Sequence, residues 1–196
     1  MFIGPRTTKF SAFLILQKEI YIFRSSEVSL RGRVAYAILC AEKYFTMVYP
    51  DRDWKIIFEI CWHFTDDSMY LDASDSMCDI LPECLFEFDG YNRPDGSYEY
   101  ITEEQYTTIK NLYAGIKDDV NVILKAIRDM EEEYAYTVIE GYRKGSIKTL
   151  SSIVKMLEEK NIALPDPQLV VFSKFSEDGG WGKAFDGTKL SMVLKG

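Results

Sequence analysis

Two stretches of helical character, parted by a short polar break, constrain this chain more than anything else in it. The first is LRGRVAYAILCAEKYFTMVY, residues 30–49, and the second is WKIIFEICWHF, residues 54–64. Ala, Leu, Met, Lys and Glu in the first favour a helix. Val34, Ile38, Ala41, Phe45 and Val48 recur in it at helical spacing. Ser29 stands where an N-cap is needed, and Pro50 stops easy continuation. Asp51 is the expected cap of the second helix, its carboxylate taking up free backbone N–H groups. At about 100° per residue, Trp54, Ile57, Phe58, Cys61 and Phe64 cover one face, while Arg52, Lys55, Glu59 and His63 fall on the other.

His63 is the only histidine. It lies four residues after Glu59, a favourable exposed spacing, and in a last turn where free carbonyls favour a cation. A di-iron carboxylate helix needs Glu and His three apart, repeated on a second helix, and this chain has neither feature. His63 is therefore expected to be a solvated helix residue. Cys61 and His63 point about 160° apart on one helix and do not pair locally.

The remaining chain is punctuated in the same manner. Residues 10–24 read as a helix or an extended hairpin arm, with helix preferred. DASDSMCDILPECLFEF reads as one or two short helices, with Asp72 or Ser74 as cap and Pro82 near a boundary. DGYNRPDGSYEY is a turn-rich loop. It is no calcium loop, because aligning Gly96 with the required glycine places Tyr91 and Arg93 at ligand positions. Thr102 and Gln105 form a capping-box pattern that opens a long helical stretch, broken near Gly115. Val120, Ile123, Ile127, Met130, Tyr134 and Val138 form its apolar stripe, Glu131, Glu132 and Glu133 face solvent, and Gly141 or Gly145 ends it. Ser146 is the expected cap of a helix striped by Leu150, Ile153 and Leu157. Pro165 and Pro167 mark a boundary, QLVVFSKF reads as a last helix, and the glycine-rich residues 176–196 read as an irregular tail wrapping back on Trp181 and Phe185. The expectation is one all-α domain over residues 1–196, a bundle of about seven helices with an irregular C-terminal tail. A chain of 196 residues can bury a proper core without staples.

The cysteines, Cys40, Cys61, Cys78 and Cys84, match no zinc spacing and are expected to be buried, reduced thiols. FLILQKEIYIF is interrupted by Lys18 and Glu19, and no small-residue cleavage site follows it. No apolar run reaches the ~18–20 residues of a membrane span. These features lead to an expected cytoplasmic location.

Charge is the most informative functional feature. Residues 66–104 hold twelve carboxylates and one opposing cation, Arg93, a net of −11. The rest of the chain has 22 basic and 19 acidic side chains, a net of +3. Such a segment disfavours nucleic acid or an anionic membrane as partner and suits a basic protein. Tyr70, Tyr91, Tyr98 and Tyr100 lie among the carboxylates, where charge orients encounter and aromatic rings supply contact area. No dinucleotide loop, phosphate loop, nucleophile elbow or HExxH motif is present. No cofactor is expected. An enzyme alternative, a metal-assisted hydrolase, would use helix carboxylates such as Glu42, Glu131 or Asp118; a regulatory adaptor with another basic partner is a further alternative.

RVAYAILCAEKYFTMVYP, residues 33–50, followed by the Trp-bearing WKIIFEICWHF, resembles the opening of helical immunity-protein families from bacterial polymorphic toxin systems. It is also similar to an all-helical bacterial family with an Arg-Val-Ala-aromatic-Ala, Cys-Ala-Glu-basic signature. The resemblance implies a non-catalytic cytosolic antidote that binds a cognate toxin. Many such toxins are basic nucleases, whose substrate groove carboxylates would cover. On this reading the contact residues are Asp66, Asp67, Asp72, Asp75, Asp89 and Asp95, with Tyr91, Tyr98 and Tyr100 as anchors.

Overall fold

A computed structural model describes residues 28–66, 71–93, 96–132 and 144–195. Among them are seven α-helices: α1 Leu30–Val48, α2 Lys55–Asp66, α3 Leu71–Ile80, α4 Pro82–Leu85, α5 Glu103–Leu112, α6 Asp119–Glu132 and α7 Lys144–Glu159. A two-residue antiparallel ribbon, β1 Asn92–Arg93 with β2 Gly96–Ser97, interrupts the loop before α5. After α7 come three short 3-10 turns, Pro167–Val170, Asp178–Gly180 and Gly187–Lys189. The architecture is an all-α bundle, as the sequence pattern predicts. The helix expected at 10–24 lies outside the described residues, as do Tyr70, Glu133, Tyr134, Val138 and Gly141.

α1 is the axis. Fifteen of its nineteen residues are buried and solvent reaches mainly its last turn, where an apolar stripe alone would bury about half. It packs against α2, α6, α7 and the turn at Pro167–Val170. Small residues on its flanks, Gly32, Ala35, Ala37 and Ala41, let these neighbours close in. A Cβ on Gly32 would stand 2.7 Å from Val28 Cγ1. The start is capped as expected, with Ser29 Oγ accepting from the Gly32 amide.

α2 shows its expected faces: Trp54, Ile57, Phe58, Cys61 and Phe64 are buried, while Arg52, Lys55, Glu59 and His63 are exposed. Its start differs. Asp53, not Asp51, accepts from the Lys55 amide, and the Trp54 carbonyl accepts from Ile57 and Phe58. Asp51 and Arg52 are taken up by the turn off α1: the Arg52 amide donates to Tyr49 O, and its guanidinium reaches Ala114 O at 2.8 Å. The long stretch after Thr102 does break near Gly115 (φ +75°), giving α5 and α6. The capping box of Thr102 and Gln105 is fully formed. Asp119 opens α6 and accepts from Tyr44 Oη at 2.9 Å and Tyr49 Oη at 2.6 Å, tying that end to α1.

Two further expectations are corrected. Ser146 is no cap, because α7 already begins at Lys144; Ser146 is buried in the first turn and accepts from Arg33 Nη1 at 3.0 Å. QLVVFSKF forms no α-helix beyond the turn at Pro167–Val170. Ser173 instead gives its carbonyl to the Ser29 amide at 3.0 Å and meets Ser29 Oγ at 2.6 Å, and Val28 bridges Lys174, contacts that demand open backbone there.

The tail wraps back, with Trp181 buried and Phe185 partly so. The Trp181 carbonyl accepts from the Arg31 amide at 3.0 Å, and the Phe185 amide donates to Thr65 O at 2.7 Å. Gly182 (φ +82°) lies so close that a Cβ would overlap Ser29 Oγ, and one on Gly187 would overlap Thr65 Oγ1. The last clasp is Glu42, fully buried at mid-α1. Its carboxyl accepts from Trp62 Nε1 at 2.8 Å, from Ser191 Oγ and from the Met192 amide at 2.6 Å. Glu42→Gln, which turns one acceptor into a donor facing the Met192 amide, is expected to lower stability by about 2 kcal/mol. Glu42→Ala, which strands all three donors, is expected to cost about 4 kcal/mol. Urea midpoints of the two variants and wild type check the order.

Candidate functional site

The acidic segment begins in the last turn of α2, runs through α3 and α4, crosses the β1–β2 loop and ends in the first turn of α5. The apolar residues of α3 and α4 decide which way its carboxylates point. Ala73, Met77, Ile80, Leu81 and Leu85 are buried, and Asp75 is left on the exposed side of α3. Asp66 ends α2, the helix on which α3 packs, and is exposed. Asp89, Glu87 and Glu99 are exposed in the loop, and Glu103 and Glu104 on the first turn of α5, where the helix dipole also favours them. Asp67 and Asp95 lie outside the described residues, as does the side chain of Asp72.

Two carboxylates are neutralised locally. Glu83, on α4, takes Lys125 Nζ at 2.5 Å and Asn121 Nδ2 at 3.0 Å from α6. Asp79, near the end of α3, is 6% exposed. Its Oδ2 accepts from the Tyr100 amide at 2.8 Å, and Arg93 lies 3.8 Å from Oδ1. Burial raises its pKa, opposed by the Tyr100 amide, Arg93 and the Glu99 amide, while the charge of Asp75 pushes it further up. Asp75, Asp79 and Glu99 are therefore neighbours, gathered where the loop folds onto α3. Within this segment, seven of the described carboxylates remain exposed and without a salt bridge: Asp66, Asp75, Glu87, Asp89, Glu99, Glu103 and Glu104.

The tyrosines divide into two kinds. Tyr98 is buried, with its hydroxyl donating to Cys84 O at 3.2 Å and Arg93 stacked 4.2 Å over its ring. Burial pushes its pKa up to about 12. It is a structural post of the loop and offers no surface to a partner, which sequence spacing did not reveal. Tyr91 and Tyr100 are partly exposed. Tyr91 Oη donates to Ile101 O at 2.9 Å, and rings 91, 98 and 106 lie 5.2–5.9 Å apart, a cluster that sets the loop against α5.

The carboxylates of the enzyme alternative are dispersed. Glu42 is occupied as the tail clasp. Asp118 sits at the rim of a cavity of about 330 Å³ between α4 and the α5–α6 turn, lined also by Phe86, Tyr113, Ile116 and Asn121. The side chain of Glu131 lies outside the described residues. No helix among the described residues is long and apolar enough to cross a membrane.

Sequence reasoning missed one pair. Cys40 and Cys61 are buried as expected, but Cys78 and Cys84 are half-buried, with their sulfurs 3.6 Å apart. Their spacing across Pro82, a residue that forces a corner between short helices, was the available signal.

Comparison with known protein families, with curated proteins and with solved structures finds no match.

Asp79 gives a pH test of how the loop is held. The folded protein keeps its proton more tightly than the unfolded chain, so its contribution is full below about pH 3.8 and is lost as pH rises through the elevated folded pKa. Asp79→Asn does not titrate. Its stability relative to wild type is expected to improve between about pH 4 and about pH 7, whatever its offset at acid pH. Urea unfolding at both values measures this.

Proposed function

We infer that this protein is a non-catalytic binding protein of the cytoplasm, an immunity protein that neutralises a basic toxin by covering it with the acidic segment. The observation that carries this reading is the set of seven exposed carboxylates without countercharge, next to an interior in which every prominent polar side chain of α1 is engaged. The resemblance of residues 33–64 to helical immunity proteins supplies the toxin as partner. Asp66, Asp75 and Asp89, supported by Glu87 and Glu99, steer the encounter; Tyr91 and Tyr100 add contact area at the loop. Occlusion needs no cofactor, because carboxylates take the place of the toxin's phosphate substrate. Nucleic acid and anionic membranes are repelled by the same charge.

The product of the gene adjacent to this one is the partner to test. Co-expression is expected to suppress its toxicity, and the purified pair to associate with a salt-dependent rate. The variant Asp66→Lys, Asp75→Lys, Asp89→Lys, Glu99→Lys is expected to lower that rate about tenfold at low salt, with a smaller effect near 0.5 M salt, where screening acts over about 4 Å. Unchanged association at low salt overturns the assignment of this surface.

A further inference from the structure

We propose that Cys78 and Cys84 form a reversible dithiol–disulfide site, in which Cys78 attacks a low-molecular-weight disulfide of the glutathione class and Cys84 resolves the mixed product. The inference is independent of the acidic-surface reading. Its basis is the corner between α3 and α4. Cys78 sits near the end of α3 and Cys84 within α4, on either side of Leu81 and Pro82. Their sulfurs share a hydrogen bond at 3.6 Å. A disulfide needs about 2.05 Å, so closure asks for about 1.5 Å of side-chain movement.

The corner holds both sulfurs in place. The Leu81 amide donates to Cys78 O, and the Cys84 amide to Leu81 O at 3.0 Å. Tyr113 Oη donates to Ile80 O at 2.8 Å, and Tyr98 Oη to Cys84 O at 3.2 Å. Both thiols are partly exposed, whereas Cys40 and Cys61 are fully enclosed and provide internal controls. The hydrogen bond from Cys84 brings the Cys78 thiol down to about 6, against burial and with help from the Arg128 guanidinium. The same hydrogen bond, with burial, pushes the Cys84 thiol up. Burial pushes Cys61 up as well. A thiolate is therefore available at one member of the pair, with its resolving partner in contact.

The chemistry balances in two exchanges. The Cys78 thiolate attacks one sulfur of oxidised glutathione; the glutathione S–S bond breaks, a Cys78–glutathione disulfide forms, and one glutathione leaves as thiolate and takes up a proton. Cys84 gives its proton to solvent and attacks Cys78 Sγ; the mixed disulfide breaks, the Cys78–Cys84 bond forms, and the second glutathione leaves. Two protein thiols are oxidised, and one oxidised glutathione becomes two reduced ones.

The experiment incubates the full chain with oxidised glutathione, quenches with acid, and reads intact mass and cross-linked peptides. Wild type is expected to lose two hydrogen atoms without retaining glutathione. Its cross-link should join Cys78 to Cys84 and reverse with dithiothreitol, while Cys40 and Cys61 remain alkylatable after unfolding. Cys84→Ser is expected to accumulate glutathione on Cys78, and Cys78→Ser to form adduct about tenfold more slowly. Wild-type protein with four alkylatable thiols after this treatment overturns the site. Equal adduct rates in the two variants overturn the assignment of Cys78 as nucleophile. The wild-type measurement does not depend on either variant folding.

Discussion

A helix enclosed along most of its length must have its buried polar side chains answered by other parts of the chain, and α1 is organised by that constraint. Arg31 donates to Phe64 O at the end of α2 and to Gly182 O in the tail. Arg33 reaches Ser146 on α7, and Tyr36 reaches Pro165 O in the segment after it. Glu42 joins Trp62 of α2 to Ser191 and Met192, and Tyr44 takes Asp119 at the head of α6. Leaving one buried donor or acceptor unmet costs about 1–3 kcal/mol. Apolar burial is non-directional and tolerates sliding, whereas these spokes accept one arrangement of the helices.

The acidic segment obeys the opposite rule. Its interior groups, Asp79 and the Tyr98 hydroxyl, are tied down, and seven of its described carboxylates are left in water. The tied groups fasten the loop before α5 onto α3 and α4, so the carboxylates beside them are mounted on a held loop. A surface held this way loses less conformational entropy on association than a free loop would. Of the two neutralised members, Asp79 meets Arg93 within the segment, whereas Glu83 with Lys125 marks where the segment touches α6.

Much of the helical framework was legible in the sequence. The caps at Ser29 and Thr102, the stop at Pro50, the break at Gly115 and the two faces of α2 follow from local chemistry, and local chemistry is what a sequence displays directly. Several misreadings involve partners far along the chain. Asp51 resembles a cap because nothing local distinguishes it from Asp53; the pull of Ala114 on Arg52 comes from the turn after α5. Ser146 looked like a cap because the distant Arg33 that claims it was invisible. Glu42 reads in the sequence as a candidate metal-site carboxylate, whereas donors 20, 149 and 150 residues away give it a structural role. Tyr98 looked like Tyr91 and Tyr100, and only the folded loop separates a buried ring from its half-exposed neighbours.

The clasp on Glu42 also bears on how the chain matures during synthesis. The donors from Ser191 and Met192 are made about 150 residues after the carboxyl they satisfy, so the nascent axis helix waits for nearly the whole described chain before its interior is complete. Contacts of such long sequence separation form late and slowly. Until then Arg31, whose partners include Gly182, and Glu42 stay partly dependent on water, which opposes premature closure of the half-made bundle. The arrival of Ser191 and Met192, more than any single helix, is the step that commits the axis helix to its final packing.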